Sequence, residues 1–283
     1  MKQVRVFLEM VRFEHTIFAL PFAYLGMVLA AGGWPGWQKF LWITVAMAAA
    51  RTFAFAVNRL ADRSFDAANP RTQGRALPQG RISPQAVTGL AVVALAVFVV
   101  AAWQLNRFVL VLLPGAVLFL VGYSYTKRFT WASHWILGFT DGMAVPGAWA
   151  AVTASLAAPA PWLLWLTVTT WMAGFDMIYA CQDTEFDRAA GLCSVPARFG
   201  NATALRWVKI NHVVAVLALA AAGGSLRLGW PFWIGTVAVA GLLWYENSLV
   251  HPDDLSRVNV AFFNVNGYIS VLIFVSAWAG LYL

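Results

Sequence analysis

Charge is scarce in this sequence. Only 11% of its 283 residues are Asp, Glu, Lys or Arg, against about a quarter in a soluble domain, which is too few to clothe a globule in water. Cysteine is scarcer still. Cys181 and Cys193 cannot supply a disulfide framework or a four-thiolate metal site and read as spare thiols. The four histidines, His15, His134, His212 and His251, have no ligand-like spacing, and placement at loop edges accounts for them. The opening stretch, MKQVRVFLEMVRFEH, shows no small-residue cleavage site after a short apolar region, so no cleavable signal is expected. Acidic residues are outnumbered, 12 against 19 basic, for a net charge of +7. On a soluble domain that balance would suggest nucleic acid. In so apolar a chain it reads as membrane orientation, and no nucleic-acid partner is expected.

What the chain has in abundance is apolar sequence, 61% of it. Runs near the length needed to cross a hydrocarbon core, about 20 residues, recur at roughly 13–32, 40–60, 84–103, 108–126, 133–154, 161–181, 204–224, 230–249 and 259–281. This predicts an all-α integral membrane protein of about nine spans, a single domain over 1–283. Basic residues in the predicted loops divide fifteen to three between the two sides; Lys39, Arg107 and Arg227 are the minority and Arg51 lies inside a span. The positive-inside rule puts the N-terminus and the ends of the second and sixth spans in the cytoplasm, and the C-terminus outside. The expected location is the cell (inner) membrane, with the lipid bilayer as the surrounding partner.

Two long loops on the cytoplasmic side begin with one phrase. DRSFD (62–66) and DTEFD (183–187) share D-x-x-F-D at an offset of 121 residues. Four residues before each stands a polar group, Asn58 or Tyr179, and after each comes a basic loop punctuated by Gly and Pro. Equivalent placement predicts two related halves, about 1–131 and 132–283, each with a motif helix and a capping loop. Residues four apart share a helix face, so each motif aims two carboxylates one way. Like charges at that spacing weaken a helix, and carboxylates near hydrocarbon cost more. A divalent cation offsets this. Oxygen-only ligands suit Mg2+ or Ca2+ better than zinc, and four carboxylates with Mg2+ and arginines nearby suit a diphosphate. The plainer alternative is a pair of solvated helix ends whose acids pair with Arg59, Arg63 and Arg188.

Asn58, Asp62 and Asp66, with Asp183 and Asp187 after Tyr179, resemble the N-x-x-x-D-x-x-x-D and D-x-x-x-D signatures of the UbiA superfamily of intramembrane prenyltransferases. The resemblance covers nearly the whole chain, including RALPQGRIS and YSYTKRF. FEHTIFALPF, NRLADRSFDAANPRT and CQDTEFDRAAGLCSVPARFG are most similar to 4-hydroxybenzoate polyprenyltransferases and to the related branch in the futalosine route to menaquinone. The resemblance implies helices around a central cavity that opens sideways to lipid. It also implies Mg2+-dependent transfer of a polyprenyl chain from its diphosphate to an aromatic carboxylic acid in ubiquinone or menaquinone synthesis.

Residue roles follow from that chemistry. Asp62, Asp66, Asp183 and Asp187 are the expected Mg2+ ligands, with Asn58 completing the shell. Lys127, Arg128, Arg75 and Arg198 are expected to bind the diphosphate; Arg71 and Arg81 either join them or merely flank the membrane. Tyr123, Tyr125 and Tyr179 could offer π faces to an allylic cation, though Tyr125 equally suits the interfacial aromatic belt. Arg51, seven residues before Asn58, and Asp176, seven before Asp183, face inward. Either they hold the acceptor, Arg51 by its carboxylate, or they pair with each other. Asp141 is a third buried charge with no evident partner. Gly138, Gly142 and Gly174 are expected to serve helix packing. Competing readings are a haem, chlorophyll or naphthoate prenylating enzyme, and a secondary transporter. A phospholipid-forming alcohol phosphotransferase would need a D-G…A-R…G signature that is absent.

Overall fold

The computed structural model describes residue 6 and residues 16–283, excluding the side chains at 16–19 and 263. Lys2, Arg5, Arg12, His15 and the first residues of the expected first span lie outside the described residues. Every other expected apolar run falls on helix. In chain order the helices are α1 (Thr16–Ala31), α2 (Trp37–Ala61), α3 (Arg63–Ala68), α4 (Pro84–Leu105), α5 (Arg107–Thr126), α6 (Ser133–Gly142), α7 (Ala144–Thr153), α8 (Ala160–Ala180), α9 (Thr184–Ala189), α10 (Val195–Phe199), α11 (Asn201–Leu226), α12 (Trp230–Ser248) and α13 (Asn266–Gly280). A 3-10 turn, Cys181–Asp183, joins α8 to α9, and a π-helical turn, Val260–Val265, leads into α13. Among the described residues five helical segments are long and apolar enough to cross a membrane: α2, α4, α5, α11 and Val260–Gly280.

Local chemistry sets the helix starts. Ser83 accepts a hydrogen bond from Ala86 N–H and is followed by Pro84, whose missing N–H costs nothing in a first turn. Asn106 does the same for Val109 N–H at 2.9 Å and opens α5. The run expected as one span over 133–154 is broken at Met143. Pro146 explains the break: it has no N–H for the Gly142 carbonyl, and its ring crowds that group.

The long helices pack in sequence order around a ring that closes where α13 meets α1, leaving a central cavity. Outward faces carry exposed apolar side chains such as Val92, Val111, Leu217 and Val237, as a lipid-facing surface requires. Glycines allow the tightest approaches. A Cβ on Gly138 would sit 2.2 Å from the Thr169 carbonyl oxygen, and one on Gly174 would sit 2.4 Å from His212 Nε2. The buried apolar residues form two clusters. The smaller joins α2, α4, α5 and the loop residues Ala76, Leu77 and Ile82. The larger joins α1 to α7, α8, α11, α12 and α13, so α1 packs with the second half of the chain.

Candidate active site

Each acid motif sits where a long helix ends. The motifs were expected on one continuous helix face, and the structure corrects this. α2 ends at Ala61, Asp62 adopts φ −91° and ψ 7°, and α3 starts afresh. After α8 and its 3-10 turn, Asp183 adopts φ −103° and ψ 7°. Both lie in the sparsely populated bridge region of backbone space. The break relieves the repulsion a straight helix would impose on acids four apart, and each carboxylate finds its own partners.

In the first motif, Asn58 Nδ2 donates to Asp62 Oδ2 at 2.9 Å, and Arg128 Nη2 lies 3.8 Å from Asp62 Oδ1. Arg75 Nη1 donates to Asp66 Oδ1 at 2.6 Å, while Arg59 Nη1 lies 3.7 Å from Asp66 Oδ2. That second oxygen is shielded from solvent and accepts no hydrogen bond among the described residues. In the second motif, Asn69 Nδ2 and Arg71 Nε donate to Asp183 Oδ1 at 3.1 and 2.9 Å, and Arg71 Nη2 pairs with Asp183 Oδ2. Arg71 Nη1 also donates to the Tyr179 hydroxyl at 2.7 Å. Ser194 Oγ donates to Asp187 Oδ2 at 2.9 Å. Arg71 is thus engaged with the second motif. Of the arginines named for the plainer alternative, only Arg59 approaches an acid among the described residues; Arg188 donates to the Ala197 carbonyl and Arg63 is exposed.

Electrostatics separates the acids. Burial pushes the Asp62 carboxyl up, and the neighbouring Asp66 charge adds to it. Burial also raises Asp187. Burial works the same way on Asp183, but the hydrogen bonds and charge of Arg71 outweigh it and hold the carboxyl below its ordinary value. Burial works against the Lys127 ammonium, yet the charges of Asp176, Asp187, Asp183 and Asp62 hold its pKa above the usual lysine value.

One cavity of about 500 Å³ brings these groups together. Asn58, all four motif aspartates, Arg71, Arg75, Lys127, Arg128, Tyr123 and Tyr179 line it, and it continues past Asp176 to Arg51 and Asp141 among apolar side chains. Arg198 and Arg81 do not reach it: Arg198 lies over the Phe199 ring at 5.5 Å, and Arg81 donates to the Gly74 carbonyl. Arg198, expected at the diphosphate, is instead an exposed residue of the short α10 outside the cavity lining. Tyr125 is 39% exposed under the Arg128 guanidinium, a rim position outside the cavity lining.

The donor set fits a hard cation shared with a phosphate ligand. All candidate ligands are oxygens, and Asp66 Oδ2 is an unsatisfied buried acceptor beside the cavity. Among the described residues no three of the His, Cys, Asp and Glu side chains stand close enough to cage an ion. Mg2+ ordinarily asks for only one or two carboxylates plus phosphate oxygens and water.

Two inward charges differ from expectation. The Arg51–Asp176 pairing is not formed: His134 Nδ1 lies 2.6 Å from Asp176 Oδ2. Arg51 and Asp141 both line the cavity. Arg51 Nε is shielded and has no hydrogen-bond partner among the described residues, with the guanidinium 4.9 Å from the Phe55 ring centroid. His134, at the loop edge in the first turn of α6, and His212, within α11 and away from any loop edge, are both buried. The reading by residue type also passed over Glu246. It accepts from Asn266 Nδ2 at 3.0 Å, and Asn266 in turn accepts from Trp171 Nε1 at 2.7 Å on the cavity wall. A lone acid near the end of the otherwise apolar α12 was the available signal.

Comparison with known proteins agrees with this geometry. Residues 19–268 match the UbiA prenyltransferase family. A 4-hydroxybenzoate octaprenyltransferase of Cupriavidus necator is 31% identical over 267 residues, covering 93% of this chain and 92% of that protein. One from Aeromonas salmonicida is 32% identical, covering 87% and 84%. The apo structure of a UbiA homolog from Aeropyrum pernix superposes with a TM-score of 0.86 at 31% identity, over 93% of this chain and 97% of that one. A UbiA homolog from Archaeoglobus fulgidus bound to GPP and Mg2+ shares the fold, with a TM-score of 0.73 at 21% identity over 98% and 100%. A ring of membrane helices, two acid motifs at one end of its cavity and these likenesses together place the chain in the UbiA prenyltransferase family of membrane enzymes.

Proposed function

We propose that the protein transfers a polyprenyl chain from a polyprenyl diphosphate to an aromatic carboxylic acid, 4-hydroxybenzoate-like or dihydroxynaphthoate-like, in respiratory quinone biosynthesis. Diphosphate is released and Mg2+ is the cofactor. The observation that carries this reading is the continuity of one cavity from both acid motifs to Arg51. The names of the Cupriavidus and Aeromonas relatives and the GPP and Mg2+ of the Archaeoglobus homolog support it. Family membership leaves the transporter reading without support. The distribution of basic residues favours a multi-pass protein of the cell (inner) membrane with the acid motifs facing the cytoplasm.

Asp62, Asp66, Asp183 and Asp187 would hold Mg2+, with Asn58 completing the set. When bound, the ion supplies Lewis-acid neutralisation of the departing diphosphate. Lys127, Arg128, Arg71 and Arg75 add charge-assisted hydrogen bonds at the same end. Below them Tyr179, Phe262, Phe175 and Trp171 form a chain of ring contacts, with centroids 4.3, 5.3 and 5.0 Å apart, along the cavity wall. Such π faces stabilise positive charge on the allylic carbon and keep water away, and Tyr123 also lines the cavity. Arg51 presents a planar fork to the acceptor carboxylate deeper in the cavity, and Asp176 borders the passage between. An electron-rich ring carbon then bonds the allylic carbon as its bond to the diphosphate oxygen breaks, and the ring loses a proton.

The test is purified protein with Mg2+, a panel of prenyl diphosphates and candidate aromatic acids, with products read by mass spectrometry. A prenylated aromatic acid and released diphosphate are expected; no product with any acid would overturn the reading.

A further inference from the structure

Three consecutive residues of the second capping loop make contacts that the proposed chemistry leaves unused. Cys193 N–H donates to the Lys127 carbonyl at 2.6 Å. Ser194 Oγ donates to Asp187 Oδ2 at 2.9 Å. Val195 N–H donates to His134 Nε2 at 3.2 Å. His134 and Ser194 are both 0% exposed. Because Nε2 accepts, the ring proton sits on Nδ1 and is donated to Asp176, 2.6 Å away. With both nitrogens engaged, this imidazole is a strut rather than a free base.

The arrangement clamps residues 193–195 at two points onto the stretch between Lys127, which caps α5, and His134, in the first turn of α6. The residue held between the two points is the one that grips Asp187. We propose that His134 and Ser194 are positioning residues for the prenyl-transfer site, fixing the Asp187 carboxylate against Lys127 and leaving its Oδ1 for the Mg2+–diphosphate end. This inference rests on the reading of Asp187 as an acid of that site. Physically, a carboxylate on a six-residue helix has several rotamers. A buried hydrogen bond from Ser194 selects one, and the His134 strut keeps Ser194 in place.

The test measures binding of inorganic diphosphate in the presence of Mg2+ to the full-length protein in detergent by calorimetry, alongside thermal unfolding and steady-state kinetics. Ser194→Ala should weaken Mg2+–diphosphate binding about tenfold, the usual consequence of losing one hydrogen bond to a charged group. Ser194→Thr, which keeps the hydroxyl, should restore it to within about twofold. His134→Leu should act in the same direction, and His134→Gln, which can accept from Val195, should recover part of the loss. Acceptor KM should stay unchanged in the Ser194 variants. Equal binding by Ser194→Ala and wild type would overturn the inference. So would a loss shared equally by Ser194→Ala and Ser194→Thr with a matching fall in unfolding temperature, because that pattern marks a purely structural loop. If His134→Leu fails to fold, the Ser194 pair decides alone. A wild-type protein that binds no Mg2+–diphosphate would overturn the diphosphate reading itself, and this inference with it.

Discussion

In the first acid motif the partners are local. Asn58 and Arg75 hydrogen-bond its two aspartates, Arg59 approaches Asp66, and among the described residues only Arg128, just past α5, reaches in from farther along the chain. In the second motif Asp187 has a local partner, Ser194, but Asp183 depends on distant chain. Asp183 is gripped by Asn69 and Arg71 from the first capping loop, more than a hundred residues earlier. The two share a backbone, each with its leading aspartate near ψ 7°, yet differ in what holds them. The first motif can form wherever its own segment folds. The second is complete only when the first capping loop has met the end of α8, so the cavity lined by both motifs exists only in the folded ring.

The comparison can be broken most severely at the leading acids. Asp62→Ala and Asp183→Ala should each cut product formation by roughly a thousandfold or more, the scale of losing about 4 kcal/mol of transition-state charge stabilisation, with the protein still folded in detergent. Chelator should do the same to the wild type, reversed by Mg2+. Full activity in chelator would refute a role for the acids in metal binding. Stability should separate the motifs: Asp183→Ala strands Arg71 and Asn69 and should lower the unfolding temperature more than Asp62→Ala does. Arg51→Met should raise acceptor KM roughly ten- to a hundredfold, the worth of about 1.5–3 kcal/mol in a charge-assisted bond, and donor KM little. Lysine there should rescue only in part, because it keeps the charge and loses the fork. Unchanged acceptor kinetics in a stable Arg51→Met enzyme would remove Arg51 from the acceptor site.

Smaller effects test the basic rim. Lys127→Ala should weaken donor binding about tenfold, since it lies among four carboxylates with no ion pair of its own among the described residues. Arg198→Ala should change donor affinity by no more than about twofold, as expected of a surface position within about 0.5 kcal/mol of neutral. A large loss there would place Arg198 at the donor.

Much of this molecule was legible in the chain itself. The run of apolar segments was long enough that hydrocarbon thickness alone predicts the membrane helices, and α2, α4, α5 and α11 lie where expected. The acid pairs announced themselves because carboxylates beside hydrocarbon are too costly to persist without a use. Side-chain partnerships were less legible. Periodicity put Arg51 and Asp176 on inward faces, but two inward faces on different helices do not reveal which residues meet. Asp176 meets His134 because the ring packs α6 against α8, and Arg51 is left without a hydrogen bond at Nε among the described residues.

Composition and spacing therefore determined the solvent, the helices and the kind of chemistry, since each follows from local transfer and repulsion energies. The tertiary structure alone decided that Arg71 serves the second motif and Arg198 neither, that Ser194 and His134 lie behind Asp187, and that α1 packs with the second half. Those outcomes depend on distances between segments far apart in the chain, and such distances are set only when the helices close around a common cavity.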